Sequence, residues 1–536
     1  MTPAAVERER VTMGVRKRCE VLRARIGRAR ALLRRAKELP YRMEALDRHL
    51  AAIDAELHAT RDDVVAVQSG LDRVLATVGE SRQGVVELRD SVHGAARRTA
   101  LRRRPTRVLF LAHLVGVWDS YHALVETMAG SADFEPIVAS IPRRFRGLDG
   151  LSGEDDVHRG LTDRGVSHLR LTGDPGDVLR LIKAIEPDVI FRQSQWDADI
   201  PEELSTERLG FARTCLVPYE TMNIVVNVPN ARTRNTAVDS DYHRVAWLVF
   251  CTNEMMLETA VRDGARGGAQ FRLVGHPKAD HLRASRPDWP VCSTADDAPR
   301  PGRIVWSAHH TIAQGWTDFG AFHLMRDAML GWARQCADVQ FVFMPHPLLL
   351  QVPDSDASPV SRQDFDAWIK DWTDLPNTAV LSEANYGPAL AASDIMVTDG
   401  LSMLVEYQLF DKPVIFFERD GHRPFNTIGE QVVTGVHTVH TVDEVRRLAE
   451  AFVGGEPDPL RFRQRDNVRR LFGTGFSAER ILAALRQEIA RERGEADSVP
   501  AARRARRSSG RQEAAKATRN RRPAGLDHAG EAPARG

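Results

Sequence analysis

The sequence predicts an α/β fold with two Rossmann-like domains, preceded by a long N-terminal α-helical coiled coil. Two patterns support this prediction. Residues 43–92 carry apolar side chains at alternating intervals of three and four, and from residue 107 onward short apolar runs alternate with helical segments in two successive series. With 536 residues, 43% of them hydrophobic, the chain is long enough to build two separate cores.

The N-terminal segment, residues 1–42, is expected to form a basic amphipathic helix. Residues 16–42 contain eleven Lys or Arg and two acidic residues, with Leu and Ile between them. Such a helix is either attracted to an anionic membrane surface or presents a solvated basic face that continues the coiled coil, and the sequence leaves both interpretations open. Pro40 is expected to separate this helix from the coiled coil.

Residues 43–98 are predicted to form the coiled coil. Across seven heptads only Thr60 and Ser81 are polar at the core positions. A heptad repeat sustained over this length requires a partner helix. That partner is either another copy of the chain, which gives a homo-oligomer, or a second helix of the same chain in a helical hairpin.

Two series of strands follow the coiled coil. The first lies in residues 105–285 and the second in residues 300–490, on either side of a polar, Pro-containing stretch. Strands that alternate with helices indicate parallel βαβ units, and two such domains across a cleft are typical of the glycosyltransferase-B (GT-B) arrangement. Residues 494–536 lack hydrophobic periodicity and are expected to form a disordered basic tail. The predicted strands are 107–113, 134–141, 168–171, 188–193, 212–219, 247–252, 270–275, 303–308, 339–343, 378–382, 394–398 and 413–417.

Composition disfavours several classes of function. The 74 basic residues nearly balance the 73 acidic ones, so no net field favours nucleic acid as a partner. The five cysteines form no CxxC pair and an odd total, which favours reduced thiols over disulfides or a zinc site. No apolar run is long enough to predict a transmembrane helix, and no pattern indicates a bound metal or other cofactor.

Histidines follow two strands of the second series. His346 lies between two prolines after the apolar run 339–343, and His309 and His310 follow the strand 303–308. Open α/β sheets bind ligands at the carboxyl ends of their strands, and imidazole can accept a proton or, when charged, neutralise phosphate near pH 7. A single histidine between prolines is more often structural, but these strand ends are expected to meet at one crevice.

A second group of polar residues follows strand 394–398. Asp399 is expected to cap the next helix, and Gly400 to let a ligand approach free backbone amides, which suits a pyrophosphate. Ser402 lies on the first turn of that helix and Glu406 one turn further along the same face, where a carboxylate suits ribose hydroxyls. The alternative is an ordinary capped helix after a strand, which is common.

These segments together resemble the CDP-glycerol glycerophosphotransferases of teichoic-acid synthesis. That family reads Lys/Arg-Pro-His-Pro, then Asp-Tyr-Ser-Ser with an acid seven residues after the Asp, and Lys-Pro before a final strand. Here Pro345-His346-Pro347 matches the first motif, and Asp399 and Glu406 keep the seven-residue interval. Ser402 matches the second serine, and Lys412-Pro413 matches the last motif. The resemblance covers both domains in architecture but only the second in motifs.

The resemblance implies a transferase that moves glycerol phosphate, or a related polyol phosphate, from a CDP-linked donor to a hydroxyl of a lipid-linked or glycan acceptor in bacterial cell-envelope polymer synthesis. Residues 105–285 would be the acceptor-side domain and residues 300–490 the nucleotide donor-binding domain. It also implies a cytoplasmic protein, peripheral on the inner face of the cell membrane. With this resemblance and the strand-end residues together, the candidate catalytic residues are His346, Glu220, His309 and His310. The candidate donor-binding residues are Thr398, Asp399, Gly400, Ser402, Glu406 and Lys412.

Three positions depart from the family pattern. Met344 replaces the cation before Pro-His-Pro, which removes one phosphate contact, and Leu401 replaces the first serine. Where the family carries His-Gly-Thr-Pro after a strand of the first domain, this chain reads Val217-Pro218-Tyr219-Glu220-Thr221. Glu220 is therefore expected to act as the base, unless the acceptor differs. The cations expected to replace the one lost at Met344 are Arg303, Lys412 and Arg423.

Two other functions remain open. A GT-B glycosyltransferase that uses a UDP- or GDP-sugar has the same fold. A coiled-coil assembly protein without catalysis would use its GT-B body only to bind a polyanion. A sugar-nucleotide 2-epimerase is disfavoured, because the chain has no Asp-Ser-Gly-Gly followed by paired glutamates. Donor binding that is weakened by Ser402→Ala would distinguish an enzyme from a scaffold.

Overall fold

The structure is a computed structural model of the chain. It describes residues 3–35, 40–100, 105–144, 150–227, 233–291, 300–313, 315, 317–354, 357–382 and 385–494. The predicted basic tail therefore lies outside the described residues, apart from its first position.

Two long helices form the N-terminal unit. They are α1 (Pro3–Arg35) and α2 (Pro40–Ala100). The chain was expected to break at Pro40, and α2 begins there, because a proline in the first turn of a helix sacrifices no hydrogen bond. The predicted coiled-coil segment lies within α2.

The two helices pack against each other in antiparallel fashion. Leu22 and Ile26 of α1 are buried with Ile53 of α2, and Arg8 forms an ion pair with Asp72 at 2.9 Å. Part of the apolar face of α1 is therefore covered by α2. Of the two predicted partners for the heptad face, the helix of the same chain is present along the first half of α2.

Among the described residues of this unit, no second helix covers the second half of α2, since α1 begins only five residues before Arg8. Five heptad positions there are each more than half exposed. They are Val74, Val78, Val85, Leu88 and Val92.

Seven parallel strands form the first sheet. They are β1 (Thr106–Ala112), β2 (Phe134–Ser140), β3 (Leu169–Arg170), β4 (Val189–Arg192), β5 (Arg213–Leu216), β6 (Leu248–Cys251) and β7 (Phe271–Leu273), in the order β3-β2-β1-β4-β5-β6-β7. The order reverses between β1 and β4, and ligands of open α/β sheets bind at the carboxyl ends beside such a switch point. The accompanying helices are α3 (His122–Ala129), α4 (Glu154–Asp163), α5 (Pro175–Ile185), α6 (Asp241–Val245), α7 (Glu254–Asp263) and α8 (Pro277–Ala284).

The second sheet repeats this topology with six parallel strands. They are β8 (Gly302–Ala308), β9 (Val339–Pro345), β10 (Thr378–Val380), β11 (Ile395–Thr398), β12 (Val414–Phe417) and β13 (His437–Val439), in the order β10-β9-β8-β11-β12-β13. The helices in this part of the chain are α9 (Phe322–Gln335), α10 (Arg362–Thr373), α11 (Gly387–Ala392), α12 (Leu401–Glu406), α13 (Thr427–Val433), α14 (Val442–Val453), α15 (Arg461–Phe472) and α16 (Ser477–Glu492).

The predicted fold class, two Rossmann-like domains of the GT-B type behind a long N-terminal helix, is confirmed. Every predicted strand is present, because a parallel strand covered by helices on both faces reads as a continuous apolar run. Val189, Ile190 and Phe191 of β4, for example, are all fully buried. The sequence did not predict β13, a three-residue strand in which only Val439 is buried.

The C-terminal boundary of the second domain differs from the prediction. Residues up to 490 were assigned to that domain, but α16 packs against the core of the first sheet through Ile481, Leu482 and Leu485. The apolar face of an amphipathic helix shows which side chains are buried but not which sheet they cover. The last helix of the chain therefore returns to the first domain.

None of the helices within the described residues has both the length and the apolar character needed to cross a membrane. Cys215 and Cys251 are buried free thiols.

Candidate functional site

Loops at the carboxyl ends of the two sheets contact each other. Val225, in the loop after β5, forms an antiparallel bridge with Phe425, in the loop after β12. The side-chain amide of Asn426 donates hydrogen bonds to the carbonyl oxygens of Asn223 and Val225, at 2.9 and 3.1 Å. The edges at which the sequence predicted ligand binding therefore lie on either side of one cleft.

The structure brings the three predicted histidines together at the edge of the second sheet. Their ring centroids lie 4.4 Å apart for His309 and His310, 4.3 Å for His310 and His346, and 5.5 Å for His309 and His346. This follows from the strand order, because β8 and β9 are adjacent and parallel and so end side by side. The amide of His346 also donates to the carbonyl of Ala308, at 2.8 Å.

Burial keeps these imidazoles neutral near pH 7. It lowers the pKa of His310 to about 4. For His346, burial and then the charges of His310, Arg143 and Lys278 hold the pKa well below its usual range. The amide of Leu348 donates to Nδ1 of His346 at 3.1 Å, so the neutral ring carries its proton on Nε2. His346 is thus prepared to donate a hydrogen bond to an anionic oxygen.

Asp399 was expected to cap the following helix, but it has a different role. Gly400 occupies the N-cap position of α12, with no side-chain cap. The carboxylate of Asp399 instead accepts hydrogen bonds from the amides of His309, at 2.6 Å, and Ala321, at 2.5 Å. Burial raises the pKa of Asp399 to about 7, opposed by these two amides and by Arg419. Asp399 therefore holds the histidine strand end in place from within the protein.

Of the other predicted donor-binding residues in this segment, one is accessible. Thr398 is fully buried, and its hydroxyl accepts a hydrogen bond from the amide of Gly400 at 3.0 Å. Ser402 is exposed on the first turn of α12. Ser402 is therefore accessible to solvent, whereas Thr398 supports the turn before the helix.

Glu406 is fully buried and already has partners on both carboxylate oxygens. Lys278, at the start of α8 in the first domain, donates from Nζ to Oε1 at 2.8 Å. The hydroxyl of Tyr386 donates to Oε2 at 2.5 Å. The carboxylate expected to bind ribose is thus the centre of a buried cluster that connects the two domains.

Glu220 lies half-buried in the loop that follows β5. Burial raises the pKa of its carboxyl to about 6, and the nearby ammonium of Lys278 opposes this rise. A carboxylate with a pKa close to neutral is suited to general base catalysis, since it is largely ionised at pH 7 yet basic enough to accept a proton.

Lys412 lies at the opposite edge of the second sheet, just before β12. Its ammonium donates to the carbonyl oxygens of Leu390, Ala391 and Ser393, at 3.1, 2.6 and 2.6 Å. Lys412 therefore stabilises the end of α11 and is directed away from the carboxyl edge. The sequence motif placed this lysine beside a strand but did not show at which end it acts. Arg303, at the start of β8, likewise lies at the amino edge, with its guanidinium 5.4 Å from the ring centroid of Trp289.

Sequence reasoning missed two residues that the structure places beside the predicted ones. His276 donates from Nε2 to the carbonyl of Pro218 at 2.8 Å, and its Nδ1 accepts from the amide of Lys278 at 3.2 Å. It thereby joins the Glu220 loop to the lysine that contacts Glu406. The sequence could have identified His276 as a candidate site residue, because it directly follows the predicted strand 270–275, just as His346 follows its own strand.

In the part of the chain that the structure describes, no group of three or more acidic, histidine or cysteine side chains has the arrangement needed to hold a metal ion.

No protein-family model and no curated protein matches this chain. Among solved structures it is similar to a UDP-N-acetylglucosamine 2-epimerase, at 14% identity and a TM-score of 0.49, over 74% of this chain and 99% of that one. It is also similar to the UDP-GlcNAc 2-epimerase of Neisseria meningitidis, at 10% identity and a TM-score of 0.47, over 71% of this chain and 99% of that one. The wall teichoic acid polymerase TagF is similar at 13% identity and a TM-score of 0.45, over 76% of this chain and 99% of that one. All three TM-scores are below 0.5, so no functional conclusion follows from them.

Proposed function

We propose that this protein transfers glycerol phosphate, or a related polyol phosphate, from a CDP-linked donor to an acceptor hydroxyl in the synthesis of a bacterial cell-envelope polymer. The observation that carries the proposal is that the loop carrying Glu220 bridges the loop after β12, through Val225 and Phe425, at the edge of the second sheet where the three histidines cluster. Glu220 and His346 thus come from different domains. The charge of Lys278 acts on both side chains. The motif set from Pro345 to Lys412 supports the nature of the donor.

In the proposed reaction the acceptor oxygen attacks the β-phosphorus of the donor. A new phosphorus–oxygen bond forms, the bond from the β-phosphorus to the bridging oxygen breaks, and CMP leaves. Glu220 accepts the proton of the acceptor hydroxyl. His346 donates a hydrogen bond from Nε2 to a phosphate oxygen, and Ser402 binds the diphosphate. Such catalysis depends on positioning the reactants and on stabilising negative charge.

Nucleotide binding tests the donor class. We expect CDP and CDP-glycerol, but not UDP or GDP, to raise the melting temperature of the wild-type protein, because a ligand that binds only the folded state stabilises it. The gain is about 2.7 kcal/mol when the ligand is at a hundred times its dissociation constant. A thermal-shift panel of CDP, CMP, UDP, GDP and CDP-glycerol measures this.

Two serine variants control the panel. Ser402→Ala is expected to reduce the shift with CDP, whereas Ser167→Ala, which changes an exposed serine before β3 in the first domain, is expected to leave it unchanged. A response to UDP or GDP alone would instead favour glycosyl transfer. If no nucleotide stabilises the protein, the assembly-protein alternative replaces the proposed reaction.

We also propose that the chain forms a homo-oligomer through the exposed heptad positions of α2. A second copy would cover the heptad positions that α1 leaves exposed. Val78, Val85 and Val92 are a positions and Leu88 is a d position, and valine at a with leucine at d favours pairing of two parallel helices. Val85→Asp is expected to lower the mass measured by light scattering to that of a monomer. Val65→Asp is the matched control, since Val65 is also exposed, at 55%, but lies off the heptad stripe. A monomeric wild-type protein would contradict this proposal.

Peripheral binding to the inner face of the cell membrane is a further part of the proposed function. Arg23, Arg25, Arg28 and Arg30 are exposed on α1. Basic side chains of this kind are attracted to anionic lipid headgroups.

A further inference from the structure

The buried ion pair of Lys278 and Glu406 joins the two domains inside the candidate site. The side chain of Lys278 is 6% exposed and that of Glu406 0%. Removing two charges from water is costly, and replacing such a pair by apolar residues is often neutral or stabilising. A buried ion pair is therefore weak evidence of a role in stability alone.

The pair also occupies the carboxylate that the proposed function needs. Both oxygens of Glu406 are engaged, one by Lys278 and the other by Tyr386. Burial and the neighbouring Glu406 raise the pKa of Tyr386 well above its usual range, so its hydroxyl stays protonated and donates. Because Glu406 is also fully buried, a ribose hydroxyl can reach it only if a neighbouring side chain moves.

Of these two donors, Lys278 is the one that can move to another partner in the site. His276 holds the backbone of Lys278 beside the Glu220 loop, since its ring hydrogen-bonds both the amide of Lys278, at 3.2 Å, and the carbonyl of Pro218, at 2.8 Å. The charge of Lys278 also bears on the pKa values of Glu220 and His346. Ser402 lies one helical turn before Glu406 on the same face of α12, a rise of about 6 Å. A lysine side chain is long and flexible enough to cover such a distance.

Of the three cations expected to replace the one missing at Met344, Arg423 is at the carboxyl edge of the second sheet, in the loop after β12. Met344 is buried at the end of β9, and Lys412 and Arg303 lie at the other edge of the sheet. Arg419, after β12, donates to the carbonyl oxygens of Thr311, Ile312 and Gly320, at 3.2, 3.1 and 3.0 Å. A cation from the first domain would add a second positive charge at this edge.

We propose that Lys278 is the diphosphate-binding residue of the site and is held on Glu406 until the donor's ribose takes its place. The released ammonium then contacts the β-phosphate, beside His346 and Ser402. This inference rests on the proposed function. It makes Lys278 a sensor of donor binding, because a nucleoside diphosphate both displaces it from Glu406 and gives it a new partner.

The test compares nucleotides that differ by one phosphate. By isothermal titration calorimetry the wild-type protein is expected to bind CDP more tightly than CMP. Lys278→Gln is expected to lower the affinity for CDP by about tenfold, the loss of one charge-assisted contact, while the affinity for CMP stays the same or rises. Lys278→Arg keeps the charge and should retain the preference for CDP. Lys370→Gln controls for the loss of a positive charge, because Lys370 is an exposed lysine paired with Asp374.

A preference for CDP that survives in Lys278→Gln would overturn the inference and leave Lys278 a structural residue. Should that variant fail to fold, Glu406→Gln provides a second test. It removes the partner that retains Lys278, so the preference for CDP over CMP must persist, and its loss would count against the inference. The proposed function fails separately if the wild type binds no nucleotide, and its choice of base fails if UDP binds instead. In the latter case UDP and UMP replace CDP and CMP in the same comparison.

Discussion

Replacing Glu220 by glutamine is expected to lower the turnover number of transfer by about 10²- to 10⁴-fold, the usual contribution of a general base. Glutamine keeps the size and polarity of the side chain but cannot accept the proton of the acceptor hydroxyl. The affinity for CDP should be unchanged, because Glu220 belongs to the acceptor-side domain. CMP release from CDP-glycerol, in the presence of a lipid-linked glycerol phosphate acceptor, measures the effect.

The pH dependence of the turnover number in the same assay shows which group acts as the general base. Burial raises the pKa of Glu220 to about 6, and a base acts only in its ionised form. The turnover number of the wild type should therefore rise with pH and level off above about 6, and this limb should disappear in Glu220→Gln. Glu207→Gln, at an exposed position of the same domain, should behave as wild type. An unchanged turnover number and pH profile in Glu220→Gln would assign the base to another residue.

Asp399→Ala is expected to destabilise the second domain by about 2 to 6 kcal/mol. The substitution removes the acceptor for two buried amides, those of His309 and Ala321, and each buried donor left without a partner costs about 1–3 kcal/mol. Trp306, Trp332, Trp368 and Trp372 all lie in the core of this domain, so tryptophan fluorescence during urea denaturation reports its unfolding.

Two further variants serve as comparisons for Asp399→Ala. Asp399→Asn retains one acceptor oxygen but turns an amide group toward a second donor, so it should also destabilise the domain. Asp420→Ala, at an exposed position after β12, should shift the unfolding free energy by less than about 0.5 kcal/mol. If Asp399→Ala keeps wild-type stability but loses CDP binding, then Asp399 contacts the donor, as the motif alone had implied.

The strands were predictable because burial on both faces leaves a simple trace in the sequence. Parallel strands such as β4 and β9 are continuous apolar runs, and the polar residues that follow them mark the edge where ligands bind. The same rule identified His309, His310 and His346 as neighbours, since adjacent parallel strands end together. Applied to the first sheet, the same rule would have identified His276, which follows β7, as a residue of the ligand-binding edge.

The roles of individual polar residues were less predictable. An aspartate between a strand and a helix is typical of an N-cap, yet Asp399 bonds to amides of residues distant in sequence. Lys412 matched a motif, but its ammonium binds carbonyl oxygens at the amino edge of the sheet. In both cases the deciding contact comes from a segment that only the fold brings near.

The sequence by itself determined the two Rossmann-like domains, the long N-terminal helix and the edge of the second sheet that carries the histidines. These depend on local periodicity and on strand order, which the chain encodes residue by residue. Only the tertiary structure decided that Lys278 of the first domain meets Glu406 of the second, that α16 returns to the first core, and that the second half of the heptad stripe stays exposed. Each of these depends on which distant surfaces meet, and a hydrophobic pattern specifies that a face is buried without specifying its partner.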